Sequence, residues 1–516
     1  MTGTLLSQDV IGDLHGDLSS SAKSHAAVNA PFTGKKLHDL PHSSLDDVTH
    51  AADQARIAQL SWHEAGFAHR RAVLLKGHDL LIERRELLLD AVQSETGKTR
   101  GQAFEEVFQS ANVARYYAVS ARSALASRAR RGGIPTVIRA RVDYHPKGLI
   151  GIITPWNYPL SLAAMDVIPA LAAGNAVIQK ADDQGALSIL ALRRAFVDAG
   201  VPAEVWPVVA GPGGVVGNAV NDVSDYVCFT GSTATGIQVG IRAAGALRGA
   251  SLELGGKNPM IILDDVDVDA VAKNAVYACF SSMGQLCVSI ERIYVMRSIE
   301  DAFTTAFVKH TGSLVQGAAF DYSTDFGSLT LPSQLERVDE HVKDAVAKGA
   351  TVLTGGRARP DLGPLFYEPT VLSGVTDDMK CSGNETFGPV VAITPVDTVE
   401  EAIIAANATP YGLNASVFGR SKRRARNVAR ALDAGSVNVN EGYRATFSSI
   451  DAPMGGVKQS GLGRRNGREG ILRFVDSRTV AESTGLMTLP RTGKEFAKLT
   501  GVMLLLLTVL KAIRRR

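Results

Sequence analysis

The stretch GLIGIITPWNYPLSLAAMDVIPALAAGNAVIQKADD, Gly148–Asp183, starts with a short apolar run, crosses a longer segment at helical spacing, and ends on a second apolar run. Runs this short and this uniformly apolar suit strands covered on both faces, and a helical crossover between two such strands makes them parallel. The rhythm continues through GALSILALRRAFVDAG, VWPVVAG and DYVCFTGS, which predicts a parallel sheet flanked by helices. A second series, NPMIILDD, ERIYVMRS, ATVLTGG, VVAITPV and SVNVNEG, predicts a second α/β unit. Upstream, LDDVTHAADQARIAQLSWHEA and FAHRRAVLLKGHDLLIERRELLLDAVQSETGK carry apolar residues at helical spacing between charges, so long amphipathic helices are expected there.

Composition agrees with this layout. The chain has 516 residues, 45% of them hydrophobic and 21% charged, enough for two or three structural units. A formal net charge of +3 is too small for a dedicated nucleic-acid binder. Of the four cysteines, Cys228, Cys279, Cys287 and Cys381, no two form a CxxC pair, and none joins histidines at zinc-ligand spacing. No metal site is expected. WHEAGFAHR around His63 misplaces the second histidine of HExxH and reads as surface. So few cysteines argue against a disulfide framework and for a reducing cytosol.

The ends differ in character. Residues 1–30 lack a basic segment followed by an apolar one, so no secretory signal is expected, and their Ser, Ala and Asp content predicts a mobile lead-in. At the other end, Val502–Leu510 is an apolar run followed by Lys511 and three arginines. It is shorter than the about 20 apolar residues a spanning helix needs. Two readings stand: a terminal helix packed on the body or on a neighbouring subunit, which asks less of one short feature, or an interfacial anchor with its basic end on anionic headgroups.

Four stretches carry the chemistry: TPWNYP with Asn157, LELGGKNP with Glu253, GQLCVS with Cys287, and NETFGPV with Glu385. A thiolate can attack a carbonyl carbon, and the resulting oxyanion needs preorganised donors. A carboxylate whose pKa is raised by burial can then activate water. Taken in this order, with Cys287 34 residues after Glu253, the set resembles the aldehyde dehydrogenase superfamily from about Pro31 to about Ser483. The resemblance implies Cys287 as nucleophile, Glu253 as base, and Asn157 with the Cys287 backbone N–H as the oxyanion donors. The other three cysteines read as buried packing.

The same resemblance implies NAD or NADP. In FTGSTATG, Gly231, Ser232 and Gly236 would bring a glycine turn and a helix start to the pyrophosphate. Lys180 and Asp183 would meet the adenosine ribose, a carboxylate there favouring NAD over a 2′-phosphate. Glu385 and Phe387 would hold the nicotinamide ribose and ring, and Trp156 is a further cofactor-binding residue. GLGRRNG and GPGGVVG read as plain turns.

The likeness is greatest to actinobacterial succinate-semialdehyde dehydrogenases, carried by GPLFYEPTVL, NVNEGY and APMGGVKQSGLGRR. Two arginines that hold the substrate carboxylate in such enzymes are replaced here by Met165 and Ser281, and Arg465 stands where many relatives carry an acid. Arg444, with Ser449 in the same loop, is the replacement anchor this sequence offers, against a reading of Arg444 as a solvated loop charge.

The expected architecture is a Rossmann-type cofactor domain (31–125 and 147–254), an α/β catalytic domain (255–469), and bridging strands (126–146 and 470–485) that make a homodimer or homotetramer. A C-terminal extension, 486–516, follows. The expected activity is oxidation of an aldehyde, succinic semialdehyde first, to the acid. Competing expectations are a long-chain or aromatic aldehyde handled at a membrane, and a non-catalytic nucleotide-binding scaffold.

Overall fold

A computed structural model describes residues 5–21, 24–134 and 136–513. The chain opens on a helix, Gln8–His15, and an antiparallel hairpin of β1 (His25–Asn29) and β2 (Lys36–Pro41), followed by helices Leu45–Glu64, Gly66–Glu83, Arg85–Thr96 and Arg100–Ala124. Strands β3 (Arg128–Arg131) and β4 (Ile138–Pro146) lead into β5 (Leu149–Ile153), β6 (Ala176–Ala181), β7 (Val208–Ala210), β8 (Tyr226–Thr230) and β9 (Gly249–Glu253). The second series is β10 (Asn258–Ile262), β11 (Ile290–Met296), β12 (Thr351–Thr354), β13 (Thr370–Ser373), β14 (Val390–Val396), β15 (Asn414–Phe418) and β16 (Ser436–Val439). The chain then returns through β17 (Gly461–Leu462) and β18 (Val475–Ser483) to a last helix, Gly493–Ala512.

The first sheet runs β17-β9-β8-β5-β6-β7 and the second β12-β13-β14-β11-β10-β15-β16; all neighbours are parallel except β17 on β9 and β12 on β13. Strands β5, β6, β8, β10 and β11 are buried almost throughout, as strands covered on both faces must be. A third sheet, β18-β4-β3, is antiparallel, and β3 and most of β18 are exposed.

Several expectations need correction. The lead-in is ordered where described: Ile11 and Leu14 are buried, and Asp17 pairs with Arg193 and Arg194 of the Ala186–Ala199 helix. Its apolar residues lie three apart, one helical face, which outweighs a polar composition. The pattern from Phe67 to Lys98 is two helices that break at Arg84, not one. GLGRRNG supplies β17, whose Gly461 and Leu462 pair with Glu253 and Leu252. GPGGVVG contains a wide helical turn, Gly213–Gly217. The C-terminal helix does not pack on the body, since none of its residues is buried. The arginines at 514–516 lie outside the described residues.

Candidate active site

Cys287 sits on the short link between the Val268–Phe280 helix and β11. Three successive residues, Ser282, Met283 and Gly284, take positive φ (50°, 59° and 69°) and turn the chain sharply before it. A Cβ on Gly284 would lie 2.1 Å from the Gly388 carbonyl oxygen, so this glycine lets the cysteine loop close against the NETFGPV loop. The Asn258 side-chain amide donates to the Cys287 carbonyl (2.8 Å) and to the Ser289 carbonyl (2.6 Å), which pins the loop to the start of β10. The thiol is half-buried.

Burial pushes the Cys287 thiol up to about 12, with the carboxylates of Glu253 and Glu385 adding to the effect; Arg465 and the residue's own backbone N–H act the other way. Glu253 ends β9 and is 5% exposed; burial pushes its carboxyl up to about 7, with Arg465 and Arg473 opposing. The two groups thus feel each other's charge. Asn157, 6% exposed, donates through Nδ2 to the Gln285 carbonyl at 3.0 Å, two residues before the thiol. The three residues the motifs singled out therefore converge from the ends of β5, β9 and the cysteine loop.

Glu385 accepts from the Gly256 N–H (2.8 Å), and its carboxylate lies where a Cβ on Gly255 would be; burial pushes it up to about 8. Phe387, with φ 53°, meets Trp156 edge-on at 5.7 Å. Behind this loop lies a buried ion pair that motif reading missed. Lys257 pairs with Glu291, which also accepts from the Thr386 N–H (2.9 Å) and the Phe387 N–H (3.0 Å). A second missed group explains Arg465. Its guanidinium donates to Asp166 at 2.9 and 2.5 Å and also reaches the Thr230 hydroxyl, while Arg473 donates to Asp166 at 2.6 Å. The cation at 465 is thus partnered by a buried acid on the Pro159–Ala172 helix.

Residues that could hold a dinucleotide gather at the carboxyl end of the first sheet, the usual ligand edge of such sheets. Ser232 caps the Thr233–Gly245 helix, accepting from the Thr235 N–H (3.3 Å), and the Gly231 N–H bonds the Glu253 carbonyl (3.1 Å). A Cβ on Gly236 would lie 2.2 Å from Leu254, so the helix packs directly on the chain leaving β9. Lys180 is buried at the end of β6, and its ammonium makes no hydrogen bond or ion pair among the described residues. Asp183 has one carboxylate oxygen, Oδ1, buried and unpartnered, and Oδ2 3.1 Å from His42 Nε2. An ammonium with no hydrogen bond and an orphaned acceptor at the end of β6 fit the hydroxyls of a ribose.

A cavity of about 750 Å³ is lined by Tyr277, Ser281, Lys273, Asn274, Arg444 and Phe326, among others. Arg444 stacks over the Tyr277 ring at 4.4 Å and pairs with Glu441 at 3.2 Å. Ser281 accepts from the Tyr443 hydroxyl (3.0 Å), which with Tyr277 also bonds the half-buried Glu105 carboxyl; desolvation raises that group above the usual range. Ser449 is exposed and does not line this cavity, and its hydroxyl donates to the Ala445 carbonyl (2.7 Å). The short helix Arg444–Phe447 turns it outward. Cys228, Cys279 and Cys381 are buried, as expected of packing residues. Among the described residues no cluster of metal-ligating side chains occurs.

A half-buried thiol close to a carboxyl near neutrality, set between two α/β sheets, is the arrangement a thiol-dependent α/β enzyme would use. The aldehyde dehydrogenase family model matches residues 18–480, and the chain belongs to that family. A Mycolicibacterium smegmatis protein provisionally named an NADP(+)-dependent succinate-semialdehyde dehydrogenase is 48% identical over 92% of this chain and 91% of its own length. The mitochondrial succinate-semialdehyde dehydrogenase of Oryza sativa is 37% identical over 87% of this chain and 84% of its own. Among solved structures, the betaine aldehyde dehydrogenase of Staphylococcus aureus bound to NAD+ has a TM-score of 0.87 at 29% identity, covering 93% of this chain and 98% of that one. An NADP-dependent enzyme of E. coli has a TM-score of 0.86 at 32% identity, covering 90% and 96%.

Proposed function

We propose that the protein oxidises succinic semialdehyde to succinate with NAD or NADP, through a thioester on Cys287. The observation that carries the substrate reading is that Arg444 lines the same cavity as Ser281, six residues before the nucleophile, and as Lys273. A guanidinium there supplies the carboxylate anchor that Met165 and Ser281 do not. The names of the relatives point to the same substrate.

In this reading the Cys287 thiol proton passes to Glu253 and on to solvent, the sulfur adds to the aldehyde carbon, and the oxygen takes the negative charge. The Asn157 amide and the Cys287 N–H receive it. Loss of the aldehyde hydrogen as hydride leaves a thioester on Cys287; a nicotinamide would supply the acceptor, and Trp156, Glu385 and Phe387 would hold the cofactor at one end and Lys180 and Asp183 at the other. Gly231, Ser232 and Gly236 leave room for the pyrophosphate between them. Glu253 then takes a proton from water, whose oxygen attacks the thioester and releases the acid. Because Glu253 is present, water completes the cycle, and the product is the free carboxylate.

The Arg444→Ala variant tests the substrate. Its kcat/KM for succinic semialdehyde is expected to fall about 100-fold, the loss of one charge-assisted pair, with little change for an uncharged aldehyde of similar length. Equal loss on both would sink the reading. A longer or aromatic aldehyde is the second reading, favoured by the Tyr277, Tyr443 and Phe447 rings packed together there.

Two further readings concern the setting. The exposed sheet β18-β4-β3 supports subunit pairing into a homodimer or homotetramer. The exposed apolar face of the Gly493–Ala512 helix, with Lys511 in its last turn, supports peripheral contact with anionic membrane. No helix among the described residues is long and apolar enough to cross one. Four free cysteines among the described residues support a cytoplasmic setting.

A further inference from the structure

We propose that His42 sets cofactor choice by acting with Asp183, as a specificity residue for the 2′-position of the adenosine ribose. The inference rests on the reading that this ribose lies at the end of β6. Sequence order hides the pair, because the two residues are 141 positions apart.

His42 is held firmly at this corner. Its N–H donates to the Ser24 carbonyl (2.9 Å), and the next residue, Ser43, joins the edge of the first sheet beyond β7. There the Ser43 N–H donates to the Ala210 carbonyl (2.8 Å), and the Ser43 hydroxyl accepts from the Ala210 N–H (3.1 Å). On the other side, a Cβ on Gly211 would come within 3.6 Å of the imidazole Cγ, so the chain leaving β7 runs close past the ring. The imidazole Nε2 then meets Asp183 Oδ2 at 3.1 Å, which aims the second oxygen, buried and unpartnered, away from the contact. The other charged groups in the corner are Lys180 and Asp182, and Asp182 is committed to capping the Asp183–Gly185 turn through the Gln184 N–H (3.1 Å).

An unaccompanied aspartate here accepts from ribose hydroxyls and repels a phosphate. With His42 donating from Nε2 to Oδ2, the aspartate's charge is drawn toward the imidazole, and Lys180, whose ammonium makes no hydrogen bond among the described residues, is the cation that meets the ligand. A 2′-phosphate is then admitted despite the aspartate. This arrangement accounts for an acid at position 183 in a chain 48% identical to a relative named for NADP(+).

Titration calorimetry with 2′,5′-ADP and with ADP tests this without catalysis. Wild-type protein should bind both. In His42→Ala, 2′,5′-ADP should bind about tenfold more weakly, the scale of one hydrogen bond to a charged group, with ADP within about twofold. In Asp183→Asn, 2′,5′-ADP should bind more tightly, and the double variant should recover the affinity lost in His42→Ala. If 2′,5′-ADP affinity in His42→Ala is unchanged, or falls in step with ADP, the role of His42 is wrong. If ADP does not bind the wild-type protein at all, the placement of the ribose is wrong and the proposal goes with it. Circular dichroism of each variant separates both outcomes from misfolding.

Discussion

Cys287 and Glu253 have opposite problems that one proton solves. The thiol, pushed up to about 12, is not a nucleophile at neutral pH, while Glu253, pushed up to about 7, is half ionised there. Inactivation of the ligand-free enzyme by iodoacetamide should therefore rise about tenfold per pH unit through pH 9; a plateau near pH 7 would show an already ionised thiol. In its proposed role as base, Glu253 would work only when deprotonated, so thioester hydrolysis should rise with pH through about 7. Glu253→Gln should keep the first-turnover burst of reduced cofactor but lose steady-state rate about 100-fold. Arg465 holds the Glu253 carboxyl down by its charge. Arg465→Met should raise that pKa and move the acid limb about one unit alkaline, while Arg465→Lys should restore it; an unmoved limb in Arg465→Met would remove Arg465 from the base's environment. Cys287, Glu253 and Asn157 were legible because each lies in a short motif of its own. The groups that tune them were not, since Asp166 and Arg465 lie 299 positions apart and Lys257 and Glu291 lie 34 apart. A buried ion pair leaves no local pattern in sequence when its halves come from different strands and helices.

At the level of elements, the two parallel sheets were readable from β5 and β6 outward, because strands buried on both faces write uninterrupted apolar runs. The break at Arg84 was not readable: no glycine or proline marks it, and the apolar spacing continues across it. Nor was β17, whose two residues become a strand only because β9 offers Leu252 and Glu253 an open edge. That pairing places the end of β9, and so Glu253, under the Gly455–Gly463 return; a Cβ on Gly455 would lie 2.9 Å from the Glu253 carboxylate. The cysteine loop depends on the same kind of close approach. Gly284→Ala is incompatible both with φ 69° and with the Gly388 carbonyl 2.1 Å away. It should cost on the order of 1–3 kcal/mol of stability and reduce kcat, because the displaced loop carries the thiol. Thermal denaturation and turnover measured together check it, and full activity at an unchanged Tm would mean the loop has another way to close.

For the whole molecule, the two ends of the chain show what burial decides. The N-terminal helix looks polar in composition, yet its two buried residues and the nearby Asp17 ion pairs tie this segment to the Ala186–Ala199 helix. The C-terminal helix looks apolar, yet Leu504, Leu505 and Leu507 are 58%, 63% and 60% exposed. Removing buried surface destabilises at roughly 25 cal/mol per Å², whereas removing a helix that buries nothing on the body leaves the folded state's own contacts intact. Deleting residues 486–516 should therefore leave Tm within about 2 °C, a ΔΔG well under 1 kcal/mol for a chain of this size, and leave kcat unchanged. The deletion should abolish co-sedimentation with vesicles rich in anionic lipid, an interaction that the full chain should show and that salt should weaken. A drop of several degrees in Tm, or a change in oligomeric mass by light scattering, would instead assign the helix to the interface between subunits. The contrast between the ends is physical: a helix is part of the body when its apolar residues find a surface there, whatever fraction of its sequence they make up.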